Sequence, residues 1–588
     1  MQSPYTGFTS IWIIVVAVSA PPGEQLEPLV LAAMDSNTGY PVEIRVPELR
    51  GIRRPPYPTG PQALLVTIDA YEVVACHLAL GWRVPERIVD LMVEFRNSTD
   101  GKHALQVGGL AGALLRFGLP AMAGLTAGTA PDQMLRRLEA VTGLFEAMRA
   151  SLDLGRALLR GRYMCAVARI EAIGIPVDGE ITDQLMRAWP AVRDRVIAII
   201  DRGYGVYRGR RFDSAAFADW LERRKIAWPK LDSGRLDLGD DAFREMARVH
   251  PAVRPLKELR ATLASFDPCA LTVGRDGRNR TPLRPFASRT GRNQPSTKAS
   301  VLGTAAWVRH LIKPRPGTGL AQIDWQQQEF GIAAALSGDQ AMQHAYSSGD
   351  PYLALAVVAG AAPPDATIAT HPHIRERFKA CALGIQYGMG AARLALQLRL
   401  PDVEARELLR HHRAAFPRFW NWSDNVETHA LLYRQQQSVF GWRVSVDQNA
   451  NPRALRNFPM QANGAEMLRL ACDLATETGI TVCAPNHDSL LIEAPIRDLD
   501  DAVATTQRHM AEASAVVLDG FPLKTSVRMV RDPDRWTDQR GQAVWAAVEC
   551  ALGTRGPPAH QRHATCSPMN PRTVLLYVSK EDSSDASD

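Results

Sequence analysis

The 588-residue sequence has no long apolar run, since none approaches the roughly 20 residues that a membrane-spanning helix requires. The nearest candidate, residues 11–20, is short and rich in β-branched residues, which favours a buried strand. Basic residues are also absent before Arg45, whereas a secretion signal has a basic start. We therefore expect a cytoplasmic protein without a membrane segment.

Cysteine is scarce and scattered. The eight cysteines include no Cys-x-x-Cys pair and no cluster with histidine, which argues against a zinc ribbon and a disulfide framework. With 46% hydrophobic and 22% charged residues, the composition excludes collagen-like, coiled-coil and largely disordered chains. A reduced, intracellular chain of this length is expected to form about two to four domains.

Four regions can be distinguished along the chain. Residues 1–152 have a mixed α/β pattern, and residues 153–280 are predicted to be mostly helical. Residues 281–545 alternate predicted strands and helices and contain every strong motif. The tail from residue 553 is rich in Pro, Ser and His and is predicted to be disordered.

Acidic residues are missing from residues 277–323. The nine basic residues of that stretch are Arg278, Arg280, Arg284, Arg289, Arg292, Lys298, Arg309, Lys313 and Arg315. A run of one sign fits either a surface that meets phosphates or a solvated basic loop, and composition alone does not separate the two.

Two segments carry residues suited to phosphate chemistry. Asp324 ends a short apolar run and precedes an Ala-rich stretch, so a strand that ends on a carboxylate and a following helix are predicted. Arg375, Lys379, Leu383 and Tyr387 recur every four residues and would share one slowly drifting stripe of a helix. Two cations one turn apart suit a triphosphate, although an exposed basic helix face has the same spacing.

A third segment contains His487 and Asp488 before an apolar run, which places both at the tip of a tight hairpin or in an ordinary polar turn. Asp488 and Asp324 can share a pair of magnesium ions only if the fold brings their distant strands together. Two-metal phosphoryl transfer requires shared carboxylates of this kind. The order of the three segments therefore predicts a two-metal site with a phosphate-binding helix.

Taken together, these segments resemble the motifs of the family A DNA polymerases, which include bacterial DNA polymerase I. The matching residues are, in chain order, Thr290-Gly291-Arg292, Asp324-Trp325-Gln326-Gln327-Gln328-Glu329, Arg375, Lys379, Tyr387, Gly388, Arg453, Asn457, Pro459-Met460-Gln461, Ala465-Glu466 and His487-Asp488. The resemblance covers about two thirds of the chain, from residue 160 to residue 552.

The resemblance implies a right-hand polymerase with mixed α+β and α/β domains, which adds dNTPs to the 3′ end of a primer. The implied catalytic residues are Asp324, Asp488 and Lys379. Asp324, Asp488 and the carbonyl of Trp325 would hold two Mg²⁺ ions, with Mn²⁺ as a substitute. The implied nucleotide contacts are Arg375, Lys379, Leu383, Tyr387, Glu329 and Tyr352. The implied contacts with primer-template DNA are Arg292, Arg453, Asn457, Gln461 and His487.

The expected domains are an exonuclease-like region at 1–152, a polymerase region at 153–552 and a tail at 553–588. Within the polymerase region, the expected segments are a thumb at about 153–280, a palm at about 281–345 and 446–545, and fingers at about 346–445. We expect a nucleoid-associated monomer that serves replication, repair or error-prone lesion bypass.

Three residues depart from the DNA-polymerase pattern. Leu383 stands where a Phe is usual, Ser489 where a Glu is usual, and Tyr352 where many relatives have a His. Ser489 and Leu383 favour the single-subunit RNA polymerases, which share the palm. Glu329 resembles the steric gate that crowds a ribose 2′-hydroxyl, and it favours dNTPs. A degenerate polymerase kept as a DNA-binding scaffold is a third interpretation, against which the retained metal-binding acids argue.

The amino-terminal region resembles the exonuclease-like domain of polymerases from phages and mobile elements. The segment that carries this resemblance is CHLALGWRVPERIVDLMVEFRNSTDG. A 3′–5′ exonuclease needs an Asp-x-Glu on its first strand and two further aspartates to hold its metals. The predicted first strand has no acid, so an RNase H-like fold without proofreading is predicted. Asp90 and Glu94, one helical turn apart, are expected to form a solvated face. A shifted site of Asp69, Glu72 and Asp90 is the alternative.

Overall fold

The chain folds into two compact units. The computed structural model describes residues 5–45, 48–100, 109–120, 129–303, 305–398 and 400–554. The first unit is made of the described parts of Met1–Gly174, Pro282–Pro295 and Thr318–Met529. The second unit is made of the described parts of Ile175–Thr281, Ser296–Gly317 and Val530–Asp588. None of the described helices combines the length and the apolar character that a bilayer crossing requires.

The first unit begins with a mixed five-stranded sheet. Its strands are β1 (Ser10–Ser19), β2 (Glu27–Asp35), β3 (Pro41–Arg45), β4 (Ala63–Thr67) and β5 (Ile88–Asp90). They lie in the order β3-β2-β1-β4-β5, with β1 antiparallel to β2 and parallel to β4. Ile13 and Val15 belong to one apolar cluster and Ile14 and Val16 to another. Both faces of β1 are therefore covered, which explains its continuous apolar sequence and confirms the predicted buried strand.

Six helices of the described residues accompany this sheet: α1 (Glu48–Gly51), α2 (Ala70–Ala79), α3 (Leu91–Thr99), α4 (Gly109–Arg116), α5 (Pro131–Arg149) and α6 (Leu154–Ile173). Helix α6 packs directly on β5, because a Cβ atom on Gly161 would lie only 1.8 Å from the carbonyl oxygen of Ile88. The expected solvated face of α3 is wrong. Glu94 is only 5% exposed because it pairs with Arg160 of α6, and Asp90 is buried at the start of α3.

Helix α6 also contacts the helix at Pro452–Glu477, much later in the chain. Residues 153–174 consequently belong to the first unit, although the sequence assigns them to the thumb. Helix α6 buries one face on the five-stranded sheet and another on this later helix, so this part of the first unit extends to Gly174.

The carboxyl-terminal half of the chain adds six strands: β6 (Thr318–Trp325), β7 (Gln435–Gln437), β8 (Arg443–Ser445), β9 (Thr481–Asn486), β10 (Ser489–Pro495) and β11 (Thr525–Arg531). Strands β9, β10, β6 and β11 form a four-stranded sheet in that order, and β7 and β8 form a separate antiparallel pair. Strand β10 runs antiparallel to both of its neighbours, β9 and β6.

In the described part of this half, nine helices accompany these strands: α7 (Gln328–Ser337), α8 (Gln340–Ser348), α9 (Pro351–Val358), α10 (Pro372–Gln386), α11 (Ala391–Leu398), α12 (Asp402–Ala415), α13 (Pro417–Tyr433), α14 (Pro452–Glu477) and α15 (Leu499–Val517). Helix α15 packs against β6 and α14, and α7 packs against α14. The predicted order of a strand ending near Asp324 and an Ala-rich helix after it is confirmed by β6 and α7.

The second unit is mostly helical. Its α-helices are Gly179–Asp201, Ser214–Arg223, Asp240–Val249, Arg254–Ser265 and Gln542–Leu552. Its two short strand pairs are Ile175–Pro176 with Arg278–Asn279 and Tyr207–Arg208 with Arg211–Phe212. Packed aromatic rings of Trp189, Phe266, Trp307 and Trp545 fill part of its core.

Part of the acid-free run at 277–323 is not available as a phosphate-facing surface. Arg278 and Arg280 are buried, and Arg280 forms an ion pair with Asp276. Arg309 donates to Asp538 at 2.8 Å. Acids from outside the run therefore neutralise part of it. The predicted disordered tail lies, from residue 555 onward, outside the described residues.

Candidate active site

Asp324 and Asp488 lie side by side at one edge of the four-stranded sheet. Asp324 is the penultimate residue of β6, and in the β6–β10 pair it lies opposite Ser489, the first residue of β10. The backbone N–H of Trp325 donates to the carbonyl oxygen of Asp488 at 3.2 Å. The fold thus brings together two carboxylates that are far apart in the sequence, as predicted.

A two-residue turn joins β9 to β10, and His487 and Asp488 occupy it. His487 is exposed and has a φ of 56°, in the left-handed region. Ser489 is fully buried, and its hydroxyl donates to the carbonyl oxygen of Asn486 at 2.9 Å and accepts from Nε2 of Gln322 at 2.8 Å. Ser489 therefore anchors the turn that carries Asp488, which explains a hydroxyl at this position.

The two carboxylates perturb each other's ionisation. Burial and the neighbouring charge of Asp488 raise the pKa of Asp324 to about 7, and Lys379 opposes this shift. Burial likewise raises the pKa of Asp488, and the charge of His487 opposes that shift. Like charges this close are unfavourable unless a proton or a cation lies between them.

Helix α10 carries the predicted phosphate-binding stripe. Arg375, Lys379 and Leu383 lie on the helix, and Tyr387 follows its last residue as the C-cap. Gly388 has a φ of 77°, which a side chain would strain and which ends the helix. Lys379 and Leu383 are half-buried, and Lys379 is near enough to Asp324 to lower its pKa.

Arg375 is held by two residues of the preceding segment. Its Nε donates to Oδ2 of Asp350, and its Cζ lies 5.5 Å from the ring centroid of Tyr352. The side chain of Tyr352 is 1% exposed and also packs edge-on against Phe330. Tyr352 therefore contacts Arg375 in this structure.

Glu329 lies in the first turn of α7, with Oε1 4.0 Å from Nη2 of Arg292. Burial raises the pKa of Glu329, and Arg292 opposes that shift. The main-chain carbonyl of Glu329 accepts from Nε2 of Gln386 at 2.7 Å, which links the end of α10 to the start of α7. Gln386 and Asp350 are not predicted from the sequence, because neither residue stands out without its partner.

The remaining predicted DNA contacts lie on α14. Arg453 is exposed, while Asn457 and Gln461 are half-buried along the same stripe of the helix. Among the described residues, Oδ1 of Asn457 has no hydrogen-bond partner. Glu466 instead faces the interior, where it pairs with Arg469 at 2.7 Å.

The segment that contains this site, residues 291–536, matches the model of DNA polymerase family A. The matched segment includes both carboxylates, all of α10 and all of α14.

The chain is also similar to curated proteins that are named as DNA polymerases. The chain is 27% identical over 326 residues to the thermostable DNA polymerase I of Thermus thermophilus, covering 51% of this chain and 38% of that protein. It is also 27% identical over 366 residues to the DNA polymerase of Mycobacterium phage D29, covering 60% of this chain and 59% of that protein. The chain thus spans about two fifths of the length of the Thermus relative.

A solved structure shows the same fold. It is the POL domain of Pol1 from M. smegmatis in complex with DNA primer-template and dNTP, with a TM-score of 0.67 at 20% sequence identity. The likeness covers 90% of this chain and 96% of that chain. The predicted right-hand polymerase fold with mixed helices and sheets is confirmed.

The amino-terminal acids have structural partners. Asp69 caps α2 by accepting from the N–H of Glu72 at 3.1 Å. Asp90 caps α3 by accepting from the N–H of Met92 at 3.0 Å, and it also accepts from the N–H of Ala70 at 2.8 Å. Burial and the charge of Asp69 raise the pKa of Asp90 to about 7. Within the described ranges, no three or more His, Cys, Asp or Glu side chains are close enough together to hold a metal.

Proposed function

We propose that the chain is a template-directed DNA polymerase that adds dNTPs to the 3′ end of a primer. The observation that carries the proposal is the meeting of Asp324 and Asp488 at one sheet edge, within the electrostatic reach of Lys379 on α10. The family of the segment supports the same chemistry, as do the relatives named as DNA polymerases.

The residues at this edge fit two Mg²⁺ ions, or Mn²⁺ in their place. The neighbouring charge of Asp488 raises the pKa of Asp324, and divalent cations would relieve that repulsion. The carbonyl of Trp325, the residue that follows Asp324 in the chain, would offer a further oxygen. When bound, the ions would supply the positive charge that activates a primer hydroxyl and neutralises a leaving pyrophosphate.

The chain's own residues would bind and orient the substrates. Arg375 and Lys379 would hold the triphosphate, because a planar fork and a compact ammonium one helical turn apart match phosphate oxygens. Tyr387 would stack near the templating base, with Leu383 against the sugar. The primer-template contacts would come from Arg292, Arg453, Asn457, Gln461 and the exposed His487. Positioning and charge neutralisation are the main terms in phosphoryl transfer.

Glu329 supports dNTPs as substrates over rNTPs. Its side chain lies beside Arg292 and near enough to Asp488 for that charge to raise its pKa. At this position it would crowd a ribose 2′-hydroxyl. Ser489, which favours the RNA polymerases in sequence, has a structural explanation as the anchor of the turn. The proposed enzyme is a monomer without proofreading, serving replication, repair or lesion bypass.

Primer extension tests the proposal. We expect the purified chain with Mg²⁺ to extend a labelled primer on a template with dNTPs, to extend it poorly with rNTPs, and to leave it unshortened without nucleotide. Extension with rNTPs alone would support an RNA polymerase instead. Shortening in the control reaction would contradict the predicted loss of proofreading.

The metal-binding role is tested by Asp488→Asn, which keeps the size of the side chain and removes its charge. We expect extension to fall by about three orders of magnitude or more, since metal-dependent charge stabilisation is lost, with duplex binding retained. Asp498→Asn is the matched control, because Asp498 lies in the same stretch of chain but is exposed. Full activity of Asp488→Asn would refute the two-metal assignment.

A further inference from the structure

Asp350 is the N-cap of α9, and its carboxylate is fixed by the start of that helix. Its Oδ1 accepts from the backbone N–H groups of Tyr352 at 2.9 Å and of Leu353 at 3.2 Å. The side chain of Asp350 is only 11% exposed. One carboxylate oxygen is therefore committed to the helix, and the second points in a fixed direction.

That second oxygen, Oδ2, accepts a hydrogen bond from Nε–H of Arg375. The ring of Tyr352 lies beside the same guanidinium. Arg375 is consequently held on one edge by an anchored carboxylate and on one side by a buried ring. Both constraints come from the short segment at the start of α9. A long arginine side chain otherwise has many rotamers, and ordering it on binding costs free energy.

The other edge of the guanidinium is held less firmly. Nη1 donates to Oε1 of Glu376 at 2.9 Å, but the side chain of Glu376 is 66% exposed. An ion pair with such an exposed partner contributes little free energy, so another anion can replace that partner easily. A phosphate could therefore replace Glu376 while Asp350 keeps its hold on Nε.

We propose that Asp350 is a positioning residue for the incoming nucleotide: it orients Arg375 so that the Nη groups of the guanidinium meet the triphosphate. Tyr352 contributes by supporting the guanidinium and not by contacting phosphate. This inference rests on the proposed function, in which Arg375 binds the triphosphate. It adds the residue that holds this arginine ready before a nucleotide arrives.

Asp350→Asn tests the inference, because Asn caps a helix as well as Asp does and only the charge facing Arg375 is lost. We expect the KM for a dNTP in single-nucleotide extension to rise roughly threefold to tenfold, the order expected when one long side chain must be ordered on binding. The kcat and the Kd for primer-template should change less than twofold. An unchanged or lowered KM would overturn the inference, the lowered value showing that Asp350 competes with phosphate.

Two companion variants separate positioning from a merely structural role. In an Arg375→Ala background, Asp350→Asn should raise the KM no further, because the group it orients is gone. Glu376→Gln is the matched control and should change the KM less than twofold. Additive effects of Asp350→Asn and Arg375→Ala, or an equal effect of Glu376→Gln, would contradict the assignment.

A failure of the proposed function would be recognised separately. If the unaltered chain extends no primer, the polymerase proposal fails, and the hold of Asp350 on Arg375 is then measured by thermal-shift titration with dATP and Mg²⁺. Asp350→Asn should weaken that dATP binding by the same threefold to tenfold. Equal binding by the two proteins would overturn the inference whatever the activity.

Discussion

Glu94 and Arg160 form a buried, two-pronged ion pair. Nε and Nη2 of Arg160 donate to the two carboxylate oxygens of Glu94 at 2.6 and 2.7 Å, and the side chains are 7% and 5% exposed. Nη1 of the same arginine donates to the carbonyl oxygen of Phe440 at 3.3 Å. Arg160 thus connects α3, α6 and the loop between β7 and β8.

Arg160→Met should destabilise the first unit by about 3–5 kcal/mol, because it leaves the Glu94 carboxylate buried and unpaired. The expected result is a lower midpoint of thermal unfolding, measured by circular dichroism. Arg162→Met is the matched control two residues later, since its pair with Glu477 is partly exposed and should contribute less than about 1 kcal/mol. Equal losses for the two variants would contradict the buried-pair assignment.

Glu171→Gln should stabilise the protein at pH 8 and leave it nearly unchanged at pH 5. Burial raises the pKa of Glu171 from 4.5 to about 7, although it accepts from the N–H of Leu283 at 2.8 Å. The folded state therefore binds the proton more tightly, and the stability that this proton contributes is full below pH 4.5 and is lost as the pH rises to about 7. Melting temperatures at the two pH values measure this effect, and a gain confined to pH 5 would have the wrong sign.

The Mg²⁺ requirement of primer extension should fall as the pH rises. The pKa of Asp324 near 7 means that a proton competes with the cation at lower pH. We expect the Mg²⁺ concentration for half-maximal rate to drop by about tenfold between pH 6 and pH 8, measured at saturating dNTP and primer-template. A Mg²⁺ requirement that does not change with pH would contradict competition between a proton and the cation at Asp324.

Glu329→Ala should relax the preference for dNTPs over rNTPs by about tenfold or more, which corresponds to about 1.4 kcal/mol. The physical reason is the loss of the side-chain bulk beside the sugar. Glu329→Gln is the control, because it keeps the bulk and removes the charge facing Arg292. Ratios of kcat/KM for dATP and ATP measure the preference. An unchanged ratio for Glu329→Ala would refute the gate.

Local sequence patterns were sufficient for the elements that carry the site. The apolar run before Asp324, the four-residue steps of α10 and the hairpin at His487 all depend on neighbours within a few residues. The burial of Glu94 could not be predicted in this way, because its partner Arg160 lies 66 residues later. Asp350 is a helix cap by sequence, and only its contact with Arg375, 25 residues on, reveals a second role.

The contacts of α3 also set an order for folding during synthesis. Arg160 of α6, which pairs with Glu94 of α3, is synthesised 280 residues before its partner Phe440. Asn97 of α3 is synthesised 346 residues before Arg443, whose backbone N–H donates to Oδ1 of Asn97 at 2.8 Å. While the ribosome is still making the segment between them, the surface that these residues will cover is exposed to solvent. Contacts so distant in sequence form late. Ribosome-bound chains that end before residue 435 should therefore be cleaved by protease near α3, and released full-length chains should resist.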